Sequence, residues 1–243
     1  MLSPQTLLTL DDLYQIQNTY VPNAGITAQL QNKALLMFVA ATCEGKNTVM
    51  KAMTELDSRF TVAGTFTSRE PQAGDDPGIY TYIPNTDEGL RDLFSRITAK
   101  QVVQYAVNPH ARHIYGSTLE DYPGEYNLRD VFASAVSGFE QLSFRRTLAI
   151  SLVSEPMIWA DRFEQRFPHG HPLRTARHGE AIESFTWSLG HPNANHFLVE
   201  NIEGDASIAA RNIIRITDGA VPDSTRARTL IQGSLEAAKK IKP

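Results

Sequence analysis

Continuous apolar runs mark the predicted strands of this chain. The runs KALLMFVA at residues 33–40 and TLAISLV at 147–153 are almost wholly apolar, as expected of parallel strands covered on both faces of a sheet. The segment NHFLVEN at 195–201 is a third strand candidate, and a further strand is predicted at 60–66. The sequence IYTYI at 79–83 alternates in the manner of a short, half-buried strand.

Segments rich in helix formers lie between these runs. Near the start of the chain, Leu10, Leu13 and Ile16 lie close to helical spacing behind Thr9, a candidate N-cap. A polar segment rich in His, Gly, Pro and Arg follows residue 167 and is predicted as a loop. The tail after residue 217 is expected to add a short amphipathic helix with a solvated, frayed end, KKIKP. Helices are predicted at 9–20, 47–56, 87–100, 133–142, 156–167 and 206–216.

This alternation of strands and helices predicts an α/β protein. With 243 residues, of which 42% are hydrophobic, the chain is long enough for one sizeable core. A net charge of -4 provides no basic field of the kind that nucleic-acid binders display. No run approaches the roughly 18 apolar residues of a membrane helix, and the first residues lack the basic start of a signal peptide. Since Cys43 is the single cysteine, an internal disulfide is excluded and a cytoplasmic protein is expected.

The most informative local motif follows the first apolar run. A phosphate-binding loop needs glycines so that backbone amides converge on phosphate oxygens, a lysine for the β and γ phosphates, and a hydroxyl for magnesium. Against the pattern GxxxxGK followed by Ser or Thr, AATCEGKN has Ala40 for the first glycine, keeps Gly45 and Lys46, and has Asn47 for the hydroxyl, with Thr48 next to it. The loop alone leaves open nucleotide binding and a coincidental strand, turn and helix. The residues predicted to bind the donor nucleotide are Ala40, Cys43, Glu44, Gly45, Lys46, Asn47 and Thr48.

Further partial motifs follow in an order that resembles the guanylate kinase family of nucleoside monophosphate kinases. The family segment TTRxPRxGExxG corresponds to TSREPQAGDDPG at 67–78, and EYA and YYGT correspond to QYA at 104–106 and IYGST at 114–118. An apolar strand leading to a charged helix, AISLVSEPMIWADRFEQR at 149–166, and a last strand ending in asparagine, HFLVEN at 196–201, complete the series. The resemblance covers about residues 34–216.

The resemblance implies a fold, an activity and a division of the chain. The implied fold is a three-layer P-loop NTPase fold with a central parallel sheet, a small subdomain that binds the nucleoside monophosphate, and a lid. The implied activity is transfer of the γ-phosphoryl group of ATP, with Mg²⁺, to GMP or a related (deoxy)nucleoside monophosphate, by a monomer or homodimer. The implied segments are a helical extension at 1–32, the kinase-like domain at 33–216, its monophosphate-binding insertion at about 67–118, its lid at about 162–180, and a tail at 217–243.

Phosphoryl transfer brings two anions together, so cationic residues should dominate the site. By the resemblance, Lys46 stabilises the transferring group and Arg69 grips the acceptor phosphate through two parallel hydrogen bonds. Thr48 or Asn47 orients magnesium, with Thr48 as the predicted metal ligand. The lid arginines implied by the resemblance are Arg162, Arg166, Arg174 and Arg177, and the catalytic set is Lys46, Arg69, Arg162 and Arg174.

The predicted acceptor site departs from the family pattern at two places. Gln72 stands where the family has a second arginine, and Arg112 is a candidate substitute. Gln104 stands where the family has a glutamate that accepts from guanine N1 and N2, and an amide offers only one acceptor, so guanine selectivity is not assured. Tyr115 is expected to bond the acceptor phosphate together with Tyr80 or Tyr82. The predicted substrate-binding residues are Arg69, Tyr82, Gln104, Tyr115, Gly116, Ser117 and Asp130.

Several alternatives remain open at this point. Asp130 is either the survivor of the family's paired aspartates, with Phe132 at the second position, or simply an acid that leads a helix. Three histidines in the polar segment, His169, His171 and His178, lack the thiol or carboxylate that a zinc site at this spacing would use, and Cys43 has no evident base beside it. The departures at Ala40, Asn47, Gln72 and Gln104 also support a second hypothesis: a guanylate kinase-like pseudoenzyme that binds nucleotides or proteins.

Overall fold

A computed structural model describes residues 2–72, 75, 78–108, 112–191, 193–202 and 204–242. The chain divides into two compact units. The first unit consists of Met1–Leu35, Thr61–Asn127 and Ala135–Arg146, and the second of Leu36–Phe60, Leu128–Ser134 and Thr147–Pro243.

The strands of the described residues form two sheets. The five-stranded sheet has the order β2-β7-β1-β8-β9, and β8 pairs with β9 in parallel from Ala149 opposite His196 to Val153 opposite Glu200. The α/β fold with a central parallel sheet is therefore confirmed. The four-stranded sheet has the order β4-β3-β6-β5. The strands are β1 (Ala34–Phe38), β2 (Phe60–Val62), β3 (Thr65–Thr67), β4 (Tyr80–Tyr82), β5 (Gln104–Val107), β6 (Ile114–Ser117), β7 (Tyr126–Asp130), β8 (Arg146–Val153) and β9 (His196–Glu200).

Both units contain helices as well as strands. Four of the helices, Lys46–Leu56, Asp87–Thr98, Pro156–Arg166 and Ala206–Thr217, begin and end within two residues of the predicted limits, because helix-forming residues and apolar spacing are local features. The helices are α1 (Pro4–Ile16), α2 (Ala24–Leu30), α3 (Lys46–Leu56), α4 (Asp87–Thr98), α5 (Val136–Glu140), α6 (Pro156–Arg166), α7 (Arg174–Gly190), α8 (Ala206–Thr217) and α9 (Thr225–Lys240). None of the helices in the described part of the chain is long and apolar enough to cross a membrane.

The polar segment after residue 167 is not a loop throughout, as the sequence predicted, because it contains the 17-residue helix α7. Its buried positions include Arg174, His178, Ala181, Phe185 and Ser188, which follow one another at intervals of three or four residues. The interval is that of a helix face turned toward the protein. The face was missed because most of its residues are polar, so it gives little hydrophobic periodicity.

The tail forms a longer helix than the short amphipathic one predicted, while Lys239 and Lys240 at its end are exposed as expected. Helix α9 spans 16 residues and buries Ala227, Leu230, Ile231 and Ala238 in the same apolar cluster as residues of α6 and α7. The indole of Trp159 on α6 lies in this cluster and is fully buried. Helix α9 is therefore a structural part of the second unit.

Three further boundaries differ from the prediction. Helix α1 begins at Pro4, not at residue 9, because the Ser3 side chain accepts a hydrogen bond from the Thr6 amide and caps the helix. The strand predicted at 60–66 is two strands in different sheets, β2 and β3, separated by Ala63 and Gly64. A Cβ on Gly64 would lie 2.2 Å from the Asp121 carboxylate, so the chain passes too close for a side chain. The helix predicted at 133–142 is a 3-10 turn, Ala133–Ala135, followed by the short helix α5.

The first unit has its own apolar core between helices and the four-stranded sheet. Leu10 and Leu13 of α1 and Leu90 and Leu93 of α4 pack in one cluster with Tyr105 of β5. The Tyr105 hydroxyl donates to the Leu13 carbonyl, 3.1 Å away. The N-terminal helix is thus an integral element of this unit, packed on the edge strand of its sheet.

Candidate phosphate loop and acceptor residues

The loop between β1 and α3 has the backbone shape of an anion-binding turn. Cys43 and Gly45 both adopt the left-handed conformation, with φ of 71° and 84°, and Gly45 is the N-cap of α3. Alternating left- and right-handed residues turn successive amides toward one point, and the helix N-terminus adds a partial positive charge there. Ala40 is not among the residues with positive φ, so an alanine is compatible with that position.

The loop is held closely by the end of β9. The Asn201 side-chain amide donates to the Glu44 carbonyl at 2.8 Å. A Cβ added to Gly45 would lie 2.6 Å from the same Asn201 nitrogen. Gly45 is therefore required for its conformation and for this close approach.

Lys46 lies at the first turn of α3 with its ammonium folded back over the loop. Its Nζ donates to the carbonyls of Ala40 at 2.6 Å and Ala41 at 3.2 Å, and lies 3.7 Å from the Asp130 carboxylate at the end of β7. The Asp130 side chain is half exposed, and Asn47 and Thr48 in the same turn of α3 are exposed. The Lys46 cation and the Asp130 carboxylate thus lie close together at the amino end of the helix, whose first turn also contains Thr48.

Glu44 contributes an unpredicted feature of the loop, a fully buried carboxyl group. One of its oxygens accepts from the Ser154 amide at 2.7 Å and the Ser154 hydroxyl at 2.6 Å. The other oxygen, Oε1, is buried without a hydrogen-bond partner among the described residues. Burial raises the pKa of Glu44 to about 7, against the opposing effects of Ser154, Lys46 and Arg162. No local pattern could predict this contact, because Ser154 lies 110 residues away along the chain.

The Cys43 thiol is half buried, and burial raises its pKa. A thiol is a poor nucleophile compared with a thiolate. Cys43 therefore contributes its left-handed backbone and a small side chain to the loop.

The predicted phosphate-gripping residues of the first unit share one face of its sheet. Thr67 at the end of β3 is opposite Tyr82 of β4 and opposite Tyr115 of β6. Partners in register have side chains on the same face of a sheet. Arg69 follows two residues after Thr67, and its guanidinium stacks over the rings of Tyr80 at 4.8 Å and Tyr82 at 5.8 Å.

Arg69 is already paired within the chain. Its two terminal nitrogens each donate to Asp75 at 2.7 Å, and the Tyr82 hydroxyl and the Gln72 amide donate to the same carboxylate at 2.5 and 2.7 Å. These bonds, with the guanidinium of Arg69 foremost, hold the pKa of Asp75 well below its usual range. The candidate substitute, Arg112, forms an ion pair with Asp11 of α1. Residues 73, 74, 76 and 77 of the predicted acceptor segment lie outside the described residues.

The two predicted base-reading positions are brought together but buried. Gln104 of β5 lies opposite Ser117 of β6, and both side chains are buried, as is Gly116 between Tyr115 and Ser117. The Gln104 amide oxygen accepts from the Tyr105 amide, and its nitrogen donates to the Gln17 carbonyl at 3.5 Å.

Ser117 is bonded in the same way, with its hydroxyl 2.8 Å from that of Tyr122. Gly138 also lies against Gln104, since a Cβ added to it would be 2.3 Å from the Gln104 side-chain nitrogen. The groups expected to read the base are therefore bonded to the chain itself. The hydrogen bond from Gln104 to Gln17 was not predicted, because the N-terminal helix carries no sequence motif.

The predicted lid arginines lie in different environments. Arg174 is buried, and its guanidinium donates to Glu164 at 2.7 and 2.9 Å, to the Lys242 carbonyl at 3.0 Å and to the Phe167 carbonyl. Arg177 forms a pair with Glu180 at 2.7 Å, Arg162 is half buried and Arg166 is exposed. A role of Arg174 over phosphates stays a prediction, and it would require these four bonds to break.

The three histidines predicted near the lid do not lie in one site. His178 bonds the Ala238 carbonyl at 2.8 Å and His169 is exposed, while His171 accepts from the Leu173 amide. In the part of the chain that the structure describes, no three His, Cys, Asp or Glu side chains converge as a metal site would require.

Replacing Arg174 by Met is expected to destabilise the second unit by about 1–3 kcal/mol, because the buried carbonyl of Phe167 loses its charged donor. Arg177→Met is the matched control and should change stability by less than about 0.5 kcal/mol, since its pair is partly exposed. Urea denaturation of both variants measures the difference. Equal stability of the two variants would contradict a structural role for Arg174.

Comparisons with known proteins show a structural likeness and no sequence match. No family model matches the sequence, and no curated protein matches it significantly. The structure is similar to the crystal structure of guanylate kinase from Anaplasma phagocytophilum, with 14% sequence identity and a TM-score of 0.47, over 78% of this chain and 87% of that chain.

Proposed function

We propose that the protein binds ATP and Mg²⁺ at the loop of residues 40–48 and transfers the γ-phosphoryl group to a nucleoside monophosphate such as GMP. The observation that supports this most strongly is the position of Lys46. Lys46 lies at a helix N-terminus directly after a left-handed loop. Its ammonium is near the carboxylate of Asp130, at the carboxyl end of the neighbouring strand. This combination suits a magnesium-bound polyphosphate better than it suits a structural turn.

The donor set fits the implied cation. Magnesium is usually bound in proteins through one or two carboxylates together with substrate phosphates and waters, not by a full protein cage. Asp130 supplies one carboxylate, and Thr48 or Asn47 supplies a second oxygen from the exposed first turn of α3. When bound, the cation would neutralise charge on the phosphate oxygens.

The chain's own groups would act mainly by positioning and by charge. The Lys46 ammonium would exchange its bonds to the Ala40 and Ala41 carbonyls for bonds to the β and γ phosphates. The amides of Cys43, Gly45 and Lys46 would bond the phosphates of the donor, and the Glu44 amide would join them only on leaving the Ala41 carbonyl, 3.4 Å away. Arg69, with Tyr115 and Tyr82, would hold the acceptor phosphate. Charge built into the protein before the reaction stabilises a developing phosphoryl transition state without reorganisation.

A second candidate function is a nucleotide-binding module without phosphoryl transfer. The observations that favour it are the buried, bonded state of Gln104 and the pairing of Arg69 with Asp75. The two candidates share the donor loop and differ at the acceptor.

A coupled assay of ADP release distinguishes the two candidates. GMP, dGMP, AMP, CMP and UMP are supplied in turn with ATP and with magnesium well above the nucleotide concentration. Turnover with at least one acceptor is expected. Calorimetric binding of ATP with no turnover for any acceptor would support the binding module, and absence of both would remove the nucleotide site.

A further inference from the structure

Asp75 is bound in the first unit as an external anion would be. Among the described residues, its two oxygens receive four short hydrogen bonds, from both terminal nitrogens of Arg69, the Tyr82 hydroxyl and the Gln72 amide. These three donor residues are called the anion clamp below. The ion pair is largely sequestered, with 10% of the Arg69 side chain and 16% of the Asp75 side chain exposed.

The donors of the clamp match those that bind a phosphate monoester. Guanidinium binds carboxylate and phosphate alike through two parallel bonds, and a hydroxyl and a main-chain amide complete the usual set. Tyr80 and Tyr82 fix the guanidinium plane by stacking against it. A carboxylate held in this way is chemically equivalent to a bound ligand.

The charge balance of the clamp opposes a second anion. The Arg69 cation is neutralised by Asp75, and the nearby His113 adds no charge at neutral pH, because burial, with Arg69 beside it, lowers its pKa. A phosphate dianion that approached with Asp75 in place would find its donors already used. It would also meet a negative charge at short range.

We propose that Asp75 is an internal anion that occupies the acceptor-phosphate clamp, so that a phosphate monoester binds there only by displacing the Asp75 carboxylate from Arg69. The inference rests on the proposed function for the identity of the acceptor, and on the clamp geometry for the competition itself. An intramolecular competitor acts at a high effective concentration and weakens the apparent affinity of the free anion. The clamp therefore selects acceptors with two or more negative charges over monoanions.

Asp75→Asn tests the competition directly, because it removes the charge and keeps a side chain of nearly the same shape. The affinities for inorganic phosphate and for GMP, measured by calorimetry, are expected to rise about tenfold. Glu70→Gln is the matched control: it removes one charge from an exposed side chain of the same loop and should leave both affinities unchanged. The double variant Arg69→Met, Asp75→Asn should lose this increase in affinity, which would show that the increase arises at the clamp.

The opposite result has a distinct meaning. If Asp75 only orients Arg69, Asp75→Asn would weaken phosphate and GMP binding, and the inference would be overturned. Circular dichroism melting of Asp75→Asn shows whether the variant is folded. Asp75→Glu is a second control, because it keeps the competing charge and should bind phosphate as the native chain does. Tighter phosphate binding in a protein without ADP release would leave the inference standing while removing the kinase function. Active phosphoryl transfer with unchanged phosphate affinity in Asp75→Asn would support the kinase function and overturn the inference.

Discussion

Lys46→Ala is expected to lower the rate of γ-phosphoryl transfer at least about 100-fold, the usual cost of removing one group that stabilises transition-state charge. The Lys46 ammonium is the cation within the loop itself, with its Nζ 2.6 Å from the Ala40 carbonyl. An alanine leaves the loop backbone intact and removes the charge. ADP release under saturating ATP and acceptor, with ATP affinity from calorimetry, separates the loss of catalysis from a loss of binding.

Lys51→Ala is the control for this experiment. Lys51 lies on the same helix, α3, its side chain is 77% exposed, and its partner is Glu55. The substitution removes the same charge and should leave transfer unchanged. If Lys46→Ala and Lys51→Ala had equal, native rates, the loop would have no part in binding phosphate and the proposed function would lose its main support.

Replacing Glu44 by Gln is expected to remove a pH dependence of stability. The pKa of Glu44 is raised from 4.5 to about 7 by burial, so the folded protein keeps this proton when the unfolded chain has already lost it. The contribution of the Glu44 proton to the free energy of unfolding is therefore fully present below about pH 4.5. It falls as the pH rises toward 7, and the free energy of unfolding levels off above that pH. The difference between the two pKa values corresponds to a loss on the order of 3 kcal/mol by pH 8.

Urea denaturation between pH 5 and 8 measures this effect. Glu44→Gln keeps an acceptor for Ser154 and carries no charge, so its stability should change less with pH and exceed that of the native protein at pH 8. Glu236→Gln is the control, since Glu236 is exposed on α9 beside Lys239 and its pKa is lowered, not raised. Parallel pH profiles for the native protein and Glu44→Gln would show that the Glu44 carboxyl is already ionised in the folded state.

The sequence predicted those elements whose signal is local. All five residues of β1 are buried, as its apolar run indicated, and β8 matches its predicted limits within one residue. Helix α3 begins one residue before the predicted start. Helix α7 escaped prediction because its buried face contains Arg174, His178 and Ser188, whose burial depends on partners in other elements.

The candidate site likewise has features that the sequence predicted and features that it did not. The Gly45–Lys46 pair was found from spacing alone, since a left-handed glycine before a helix and the lysine after it are sequence-local requirements. The left-handed conformation of Cys43 was not predicted, because a cysteine rarely adopts it and tertiary contacts must impose it. Asp75 had only its place in the acceptor segment as a signal, six residues after Arg69.

By itself, the amino-acid sequence determined the α/β class, the strand, loop and helix around Lys46, and which residues are candidates for an acceptor site. Only the tertiary structure decided that Glu44 is bound to Ser154, that Asp75 accepts from Arg69, and that Gln104 donates to the Gln17 carbonyl. The physical reason is that apolar periodicity and backbone conformation are set by neighbouring residues. The charge state and bonding of a buried polar group are set instead by residues distant in sequence, through burial and directional hydrogen bonds.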